Sequence, residues 1–162
     1  MIFLTIGSHE PFDRLVQAVD QWAETAKDAD VFGQITSNGQ YKPKHFQTTA
    51  YLDAATYKAV IAKCEFIIGH AGMGSIITAM ECGKPIVVMP RRGHLNETRN
   101  DHQYASAKKF ATKPGVFLAE DENTLPAAIN AARAGLGNTE LTTAQPFAQP
   151  QLIEFLADVF RG

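Results

Sequence analysis

The stretch FIIGHAGMGSIITAMECGKPIVVM, residues 66–89, indicates the fold of this chain. It predicts a short buried strand at Phe66 to Ile68, a glycine-rich turn, a helix from Ser75 to Cys82, and a second strand at Ile86 to Met89. A glycine and then a proline follow the helix, as is common at helix ends. Strand, helix and strand in this order are typical of a parallel sheet covered by helices.

The same alternation continues on both sides of this stretch. Further strands are predicted at 2–6, 31–35, 45–50 and 116–118, and further helices at 12–27, 54–63, 100–110 (capped by residue 100 or 101) and 124–133. A proline-bearing segment then precedes a helix at 151–160, whose apolar stripe packs on its own domain or on a partner. We expect an α/β fold: a Rossmann-like parallel sheet with helices on both faces at 1–141, then a linker and C-terminal helix at 142–162.

Length and composition fit one soluble domain with its own core. The chain has 162 residues, of which 45% are hydrophobic and 20% charged. The net charge of −2 and the isoelectric point near 6.2 exclude bulk electrostatic binding of nucleic acid or anionic lipid, though not a local basic patch. No apolar run approaches the ~20 residues that span a bilayer. The chain opens on Ile2-Phe3-Leu4 without a basic region, so we expect no signal peptide and a cytoplasmic location.

The sequence predicts no metal site and no disulfide. Cys64 and Cys82 form no C-x-x-C motif, and both are expected to be buried free thiols. The five histidines show no metal-ligand spacing. Asp28-Ala29-Asp30 matches a D-x-D pattern that can hold a metal, but it falls where the first helix leads into the second strand, at the sheet edge opposite the ligand crevice.

Ligands of open parallel sheets bind beyond the carboxyl ends of the strands. Three loops meet this condition: Gly7-Ser8-His9, residues 69–74 and residues 90–103. The second loop reads GHAGMG and is followed by Ser75, which is expected to begin a helix. Gly72 and Gly74 in this loop allow positive φ and a close approach of the backbone. Free N–H groups and the helix dipole there favour a phosphate or diphosphate. The alternative is a tight turn that needs glycine for its geometry alone.

Two histidine-bearing segments flank this phosphate candidate. His70, at the lip of the glycine loop, is either a structural group or a hydrogen-bond donor to an oxyanion. The third loop concentrates positive charge, although a solvated loop would explain each arginine separately. Its arginines are Arg91, Arg92 and Arg99. The helix start that follows suits a polyhydroxylated ligand such as a sugar, and capping explains Asp101 equally well. It comprises Asp101, His102 and Gln103.

The run GHAGMGSIITAMECGKPIVVMPRRGHLNETRNDHQ, residues 69–103, resembles the nucleotide-sugar half of GT-B glycosyltransferases of the MurG and Alg13 type. The combination H-x-G-x-x-S, G-x-P, P and H-Q carries the likeness, together with FLTIGSHEPFDRL at residues 3–15. The same residues resemble those of the small bacterial exopolysaccharide subunits called PssE, in the glycosyltransferase family 28 C-terminal class. The two stretches cover about a third of the chain closely.

The resemblance implies a binding site for a UDP-sugar. Contacts to its diphosphate are implied for His70, Gly72, Gly74 and Ser75, with Arg91 or Arg92 assisting. Gln103 and its neighbour His102 would contact the sugar, Leu52 after Tyr51 would offer its backbone to uracil, and Gly7 and Ser8 would line the cleft. Many relatives carry a glutamate three residues after the serine that grips the ribose. Here that position is Thr78, and Glu81 is interpreted as structural.

The resemblance also implies a partner, since a GT-B enzyme has two lobes and this chain is one. We expect the donor-binding subunit of a two-component, inverting, metal-independent glycosyltransferase without a cofactor, in exopolysaccharide biosynthesis. A membrane-associated Alg14-like or PssD-like subunit would supply the acceptor lobe, and His9 is the local candidate for the general base. Two alternatives stay open: a non-catalytic binding or stabilising subunit, and a stand-alone nucleotide-sugar enzyme.

Overall fold

The described part of the chain, residues 1–26, 28–99, 102–137 and 158 of a computed structural model, forms a six-stranded parallel sheet with helices on both faces. The strands are β1 (Ile2–Thr5), β2 (Val31–Gln34), β3 (Gln47–Thr49), β4 (Ile67–His70), β5 (Ile86–Met89) and β6 (Val116–Leu118). The helices are α1 (Asp13–Thr25), α2 (Ala54–Lys63), α3 (Met73–Glu81), α4 (His102–Phe110) and α5 (Leu125–Ala134). The predicted α/β fold is confirmed.

The strand order β3-β2-β1-β4-β5-β6 places a topological switch point at the centre of the sheet. The chain builds outward from β1 to β3 on one side, returns to place β4 beside β1, and then builds outward on the other side. The loops that follow β1 and β4 therefore leave in opposite directions and open a crevice at the carboxyl edge. The first and second candidate loops of the sequence analysis are these two loops.

The central strands are buried on both faces, because successive side chains point to opposite sides of a strand. On β1, Leu4 joins the hydrophobic cluster under α1 and α5, while Phe3 joins the cluster under α2, α3 and α4. All four residues of β1 and of β5 are buried. A sheet held in this way gives fixed positions to the loops at its carboxyl edge.

Two boundaries near the glycine loop differ from prediction. β4 continues through His70, which pairs with Met89 of β5, so His70 lies on a strand end and not at the lip of a loop. Helix α3 begins at Met73 after an extended Gly72, two residues earlier than expected. The serine suggested a helix start because serine is a preferred cap, yet Ser75 is the third helical residue and is buried.

Other expectations have mixed outcomes. Both cysteines are free, but only Cys64 is buried; Cys82 is exposed, because it caps the carboxyl end of α3 on the side that faces a groove. The D-x-D stretch lies before β2, at the amino edge, with the Asp30 side chain largely exposed. None of the described helices is long and apolar enough to cross a membrane. The caps at 100 and 101 and the linker and helix at 142–162, Asp158 apart, lie outside the described residues.

Candidate functional site

Two grooves meet at the carboxyl edge of the sheet. The first, here the helix groove, runs between α2 and α3 and has a volume of about 960 Å³. The second, the loop groove, lies between the loop after β1 and the loop after β5, and measures about 870 Å³. Gly7, Ser8 and His70 line both grooves. The two grooves therefore form one continuous crevice, with the ends of β1 and β4 at its middle.

The amino end of α3 opens into the helix groove. The N–H groups in the first turn of a helix have no intrahelical acceptor. Here the N-cap is Gly72, so no side chain of the cap accepts a hydrogen bond from them either. A Cβ atom built on Gly74 would have no atom within 4 Å apart from its chain neighbours and the backbone of its own helix, which leaves open space above this turn. Free N–H groups, a positive dipole end and room for a ligand together suit an anion.

The two glycines of this turn have different structural roles. A Cβ on Gly72 would lie 2.1 Å from Nε2 of His70, so the histidine ring packs directly against the Gly72 backbone. Neither Gly72 nor Gly74 adopts positive φ, contrary to the expectation, whereas Gly7 does, with φ of 84°. A Cβ on Gly7 would lie 3.2 Å from Cε1 of His70. The ring is thus held between Gly7 and Gly72.

His70 is a neutral polar group at the junction of the grooves. Burial, and secondly the positive charge of Arg91, lower its pKa from 6.5 to about 4, while the backbone of Thr5 opposes the shift. Its Nδ1 is buried and has no hydrogen-bond partner among the described residues. A neutral imidazole carries one N–H, which can donate to a ligand oxygen without bringing a second charge into the crevice.

Acid should destabilise the protein through His70. Because the folded pKa of about 4 is below the unfolded value of 6.5, this group's stabilisation is complete above pH 6.5 and is lost as the pH falls towards 4. In the wild type, His70 should lower the unfolding free energy by up to about 3 kcal/mol over this interval. The variant His70→Gln has no titratable group at this position and should lack this decrease. Urea unfolding of both proteins at pH 7 and pH 4.5 measures this difference. Parallel pH profiles of variant and wild type would contradict the assignment.

Arg91 organises the loop after β1. It is 3% exposed, and its guanidinium donates hydrogen bonds to the backbone carbonyls of Ile6 and Glu10, both at 2.9 Å, and of Pro11. It also lies over the ring of Phe12, 4.7 Å from the centroid. Arg91 lines the loop groove as predicted, but its hydrogen-bonding groups are directed at the protein backbone. Its position supports a role in shaping the groove.

An ion-pair network holds the loop after β5. Arg14 of α1 makes a two-pronged contact with Glu97, both distances being 2.8 Å, and a further contact with Glu122 at 2.9 Å. Glu97 also accepts a hydrogen bond from the backbone N–H of Arg92. The hydrogen bond to Glu97 is the largest contribution that raises the pKa of Arg14, and the contact with Glu122 raises it further. The loop between residues 90 and 99 is thereby fixed against α1.

The remaining predicted contacts to the sugar and to the diphosphate differ in position. Gln103 lines the loop groove, and its Oε1 accepts a hydrogen bond from the backbone N–H of Arg91 at 3.3 Å. Arg92 lines neither groove; it stacks on Tyr104 at 3.8 Å and donates to the carbonyl of Glu120, so its position does not support ligand contact. His102 begins α4, and its side chain lies outside the described part of the structure.

The far end of the helix groove combines apolar and polar groups. Leu52 and Tyr51, the latter 69% exposed, form its rim. Thr78 and Glu81 line the groove from one face of α3, as residues three apart on a helix do. Glu81, interpreted as structural in the sequence, therefore faces the same space as Thr78.

The candidate base lies on the other side of the junction. His9 is exposed and lines the loop groove, with Ser8 Oγ 2.8 Å from its Nδ1. This contact orients the ring in the turn after β1. The role of His9 stays a prediction, as does the absence of a metal, although no described group of three or more His, Cys, Asp and Glu could hold one.

Comparison with known proteins places the chain in a family. Residues 1–151 match the glycosyltransferase family 28 C-terminal domain. This chain belongs to that family. It is 32% identical over 127 residues to human UDP-N-acetylglucosamine transferase subunit ALG13, a match that covers 72% of the chain and 11% of the human protein. The family 28 domain here thus corresponds to a small part of that relative.

Solved structures share the fold of this family 28 domain. The NMR solution structure of ALG13 superposes with a TM-score of 0.59 at 20% identity and covers 83% of this chain and 86% of the other. MurG of Acinetobacter baumannii gives a TM-score of 0.59 at 18% identity and covers 98% of this chain and 49% of MurG. These likenesses agree with the Rossmann-like sheet predicted from the sequence.

Several residues of the site were not predicted from the sequence. Arg14 and Glu97 are 83 positions apart, and no local pattern could pair them. Gln34 is different, because it is a polar residue within the apolar run of β2, at the carboxyl end, and lines the helix groove. A polar residue at that point in a buried strand of a family 28 domain is a signal that sequence reading can use.

Proposed function

We propose that this protein is the donor-binding subunit of a two-component glycosyltransferase. It would hold a UDP-sugar while the sugar passes to a lipid-linked or polysaccharide acceptor, in exopolysaccharide biosynthesis. The observation that carries this proposal is the pair of grooves joined at His70. The likeness to a UDP-N-acetylglucosamine transferase subunit supports the choice of UDP.

The chemistry of the crevice follows the order of groups in a nucleotide sugar. The helix groove offers the apolar rim of Tyr51 and Leu52 to a base, and Thr78 and Glu81 to ribose hydroxyls. The open amino end of α3 suits the diphosphate. The loop groove offers Asn96, Thr98 and Gln103, whose hydrogen-bonding side chains suit a sugar.

Transfer requires stabilisation of the leaving diphosphate and removal of a proton from the acceptor. The first-turn N–H groups of α3 and the neutral ring of His70 provide the stabilisation without a metal ion. An inverting reaction needs a base on the face of the sugar opposite the diphosphate. His9 is the candidate on this chain, on the loop-groove side of the junction.

A second subunit would complete the enzyme. The human relative is itself described as a subunit, which supports assembly. The partner would be a membrane-associated Alg14-like or PssD-like protein that carries the acceptor lobe, and this chain would associate peripherally with the membrane through it. The resemblance to PssE supports exopolysaccharide biosynthesis as the process.

Calorimetric titration of UDP, UMP and a panel of UDP-sugars tests the proposal on the full chain, alone and with the partner. We expect UDP to bind in the millimolar range or tighter, and UMP more weakly because it lacks the second phosphate. His70→Ala and Gln103→Ala should lower transfer by the reconstituted pair without unfolding the chain, and wild-type transfer in both would overturn the site assignment.

The alternatives give different results in the same experiments. Absence of millimolar UDP or UDP-sugar binding, even with the partner, would contradict the proposal and favour a stabilising subunit. Turnover of a UDP-sugar by the isolated chain, without acceptor or partner, would favour a stand-alone enzyme. Glu81 in the helix groove supports ribose binding despite threonine at position 78.

A further inference from the structure

A buried glutamine lies at the floor of the helix groove. Gln34 ends β2 and is 5% exposed, yet it lines the groove. Its Oε1 is buried and has no hydrogen-bond partner among the described residues. A buried acceptor without a partner destabilises a folded protein, so this oxygen has a cost that the fold itself does not explain.

The neighbours of Gln34 show which face of the sheet it occupies. Gln34 pairs in register with Thr5 of β1 on one side and Thr49 of β3 on the other. Side chains in register on parallel strands point to the same face, and Phe3 and Phe32, two residues earlier on β1 and β2, contact the cluster under α2 and α3. Gln34 therefore projects between these helices, towards the groove.

The two other orphaned buried side-chain atoms that the structure describes help to interpret this one. They are Nδ1 of His70 and Oγ1 of Thr36. His70 lies in the crevice, whereas Thr36 is 5% exposed and lines neither groove. The comparison gives Gln34 a control at the end of the same strand: Thr36 also has an orphaned buried oxygen, a hydroxyl, but does not line the crevice.

An orphaned acceptor requires a ligand group that donates a proton. The diphosphate of UDP is ionised and offers no such group at neutral pH, which leaves the ribose hydroxyls and the N3–H of uracil. Thr78 and Glu81, the groups suited to ribose, belong to the helix that follows β4. In the sheet order, β4 is two strands from β2, roughly 10 Å away, while β3 beside Gln34 leads to the rim at Tyr51 and Leu52.

We propose that Gln34 is a nucleobase-specificity residue, whose Oε1 accepts the hydrogen bond of the uracil N3–H at the floor of the helix groove. The inference rests on the proposed function, because it takes the ligand to be a uridine nucleotide. The helix groove then selects the base through the inward-facing side chain of Gln34 as well as through its rim at Tyr51 and Leu52. Binding satisfies the oxygen that folding leaves without a partner.

Calorimetry with UDP, N3-methyl-UDP and 2′-deoxy-UDP on three proteins tests this assignment. In the wild type, N3-methylation should weaken binding by roughly tenfold or more. Gln34→Leu should bind UDP roughly tenfold more weakly than the wild type and should lose little further on N3-methylation. Thr36→Val should bind all three ligands as the wild type does. The melting temperature of Gln34→Leu should equal or exceed that of the wild type, since an unpaired buried oxygen is removed.

The outcomes separate this inference from the proposed function. Wild-type affinity of Gln34→Leu for UDP, or a loss that is coupled to the 2′-hydroxyl instead of N3–H, would overturn the role in base recognition. Failure of the wild type to bind UDP would overturn the proposed function, and this inference with it. Gln34→Met, which is also unbranched, serves if the leucine variant does not fold, and the same affinities are expected of it.

Discussion

Replacing Gly74 by leucine should abolish binding of UDP while the fold persists. The new side chain would enter open space, since a Cβ at this position has no atom within 4 Å apart from its chain neighbours and the backbone of its own helix. It would cover the first-turn N–H groups of α3, to which the proposed function assigns the diphosphate. We expect UDP affinity to fall by roughly a hundredfold or more. Calorimetry measures the affinity, and thermal unfolding reports on the fold.

Two neighbouring variants serve as controls for Gly74→Leu. Gly74→Ala should weaken binding less, and it should raise unfolding stability by up to about 1 kcal/mol because alanine is the better helix former. Gly72→Ala should do the reverse and destabilise the protein, since its methyl group would meet His70. Undiminished UDP binding by Gly74→Leu would show that the open space above α3 is not where the nucleotide lies.

Replacing Arg91 by lysine should destabilise the protein by about 3 kcal/mol. A lysine ammonium cannot reproduce the planar fork that reaches the carbonyls of Ile6, Glu10 and Pro11 together, so carbonyls lose their partners, including the buried one of Ile6. The loop after β1 contributes Gly7 and Ser8 to both grooves, and UDP affinity should therefore fall as well. Urea unfolding and calorimetry on the same samples measure both effects.

The adjacent arginine is the matched control for Arg91. Arg92 stacks on Tyr104 outside both grooves, so Arg92→Lys should change the unfolding free energy by less than about 1 kcal/mol and leave UDP affinity unchanged. Equal effects of the two lysine variants would contradict the separate roles given to them.

Local patterns were sufficient to predict much of the fold. The strands 86–89 and 116–118 and the helix 54–63 have the predicted bounds. Continuous apolar runs identified the buried central strands, and glycine followed by proline identified the end of α3. The order of the strands in the sheet could not be read in this way, because it depends on contacts between distant segments. The switch point between β1 and β4 is such a feature.

The candidate site was predictable where it depends on one loop. The glycine turn and His70 were found because strand, turn and helix are consecutive in sequence. The expected positive φ at Gly72 and Gly74 was wrong. What matters at both positions is the absence of a side chain, because Gly72 makes room for His70 and Gly74 leaves the groove open. Interactions that join distant segments, such as Arg14 with Glu97, could not be predicted from composition or spacing.

The meeting of two separate grooves at His70 has an evolutionary consequence. Residues 96–99 and Gln103 line the loop groove but not the helix groove, whereas the lining side chains of α2 and α3 face the helix groove alone. If the proposed function holds, substitutions after β5 would alter which sugar is accommodated while the nucleotide-binding groove stays unchanged. On the same proposal, relatives with this arrangement would differ in sugar preference through changes in one loop, and all would bind the nucleotide in the same way.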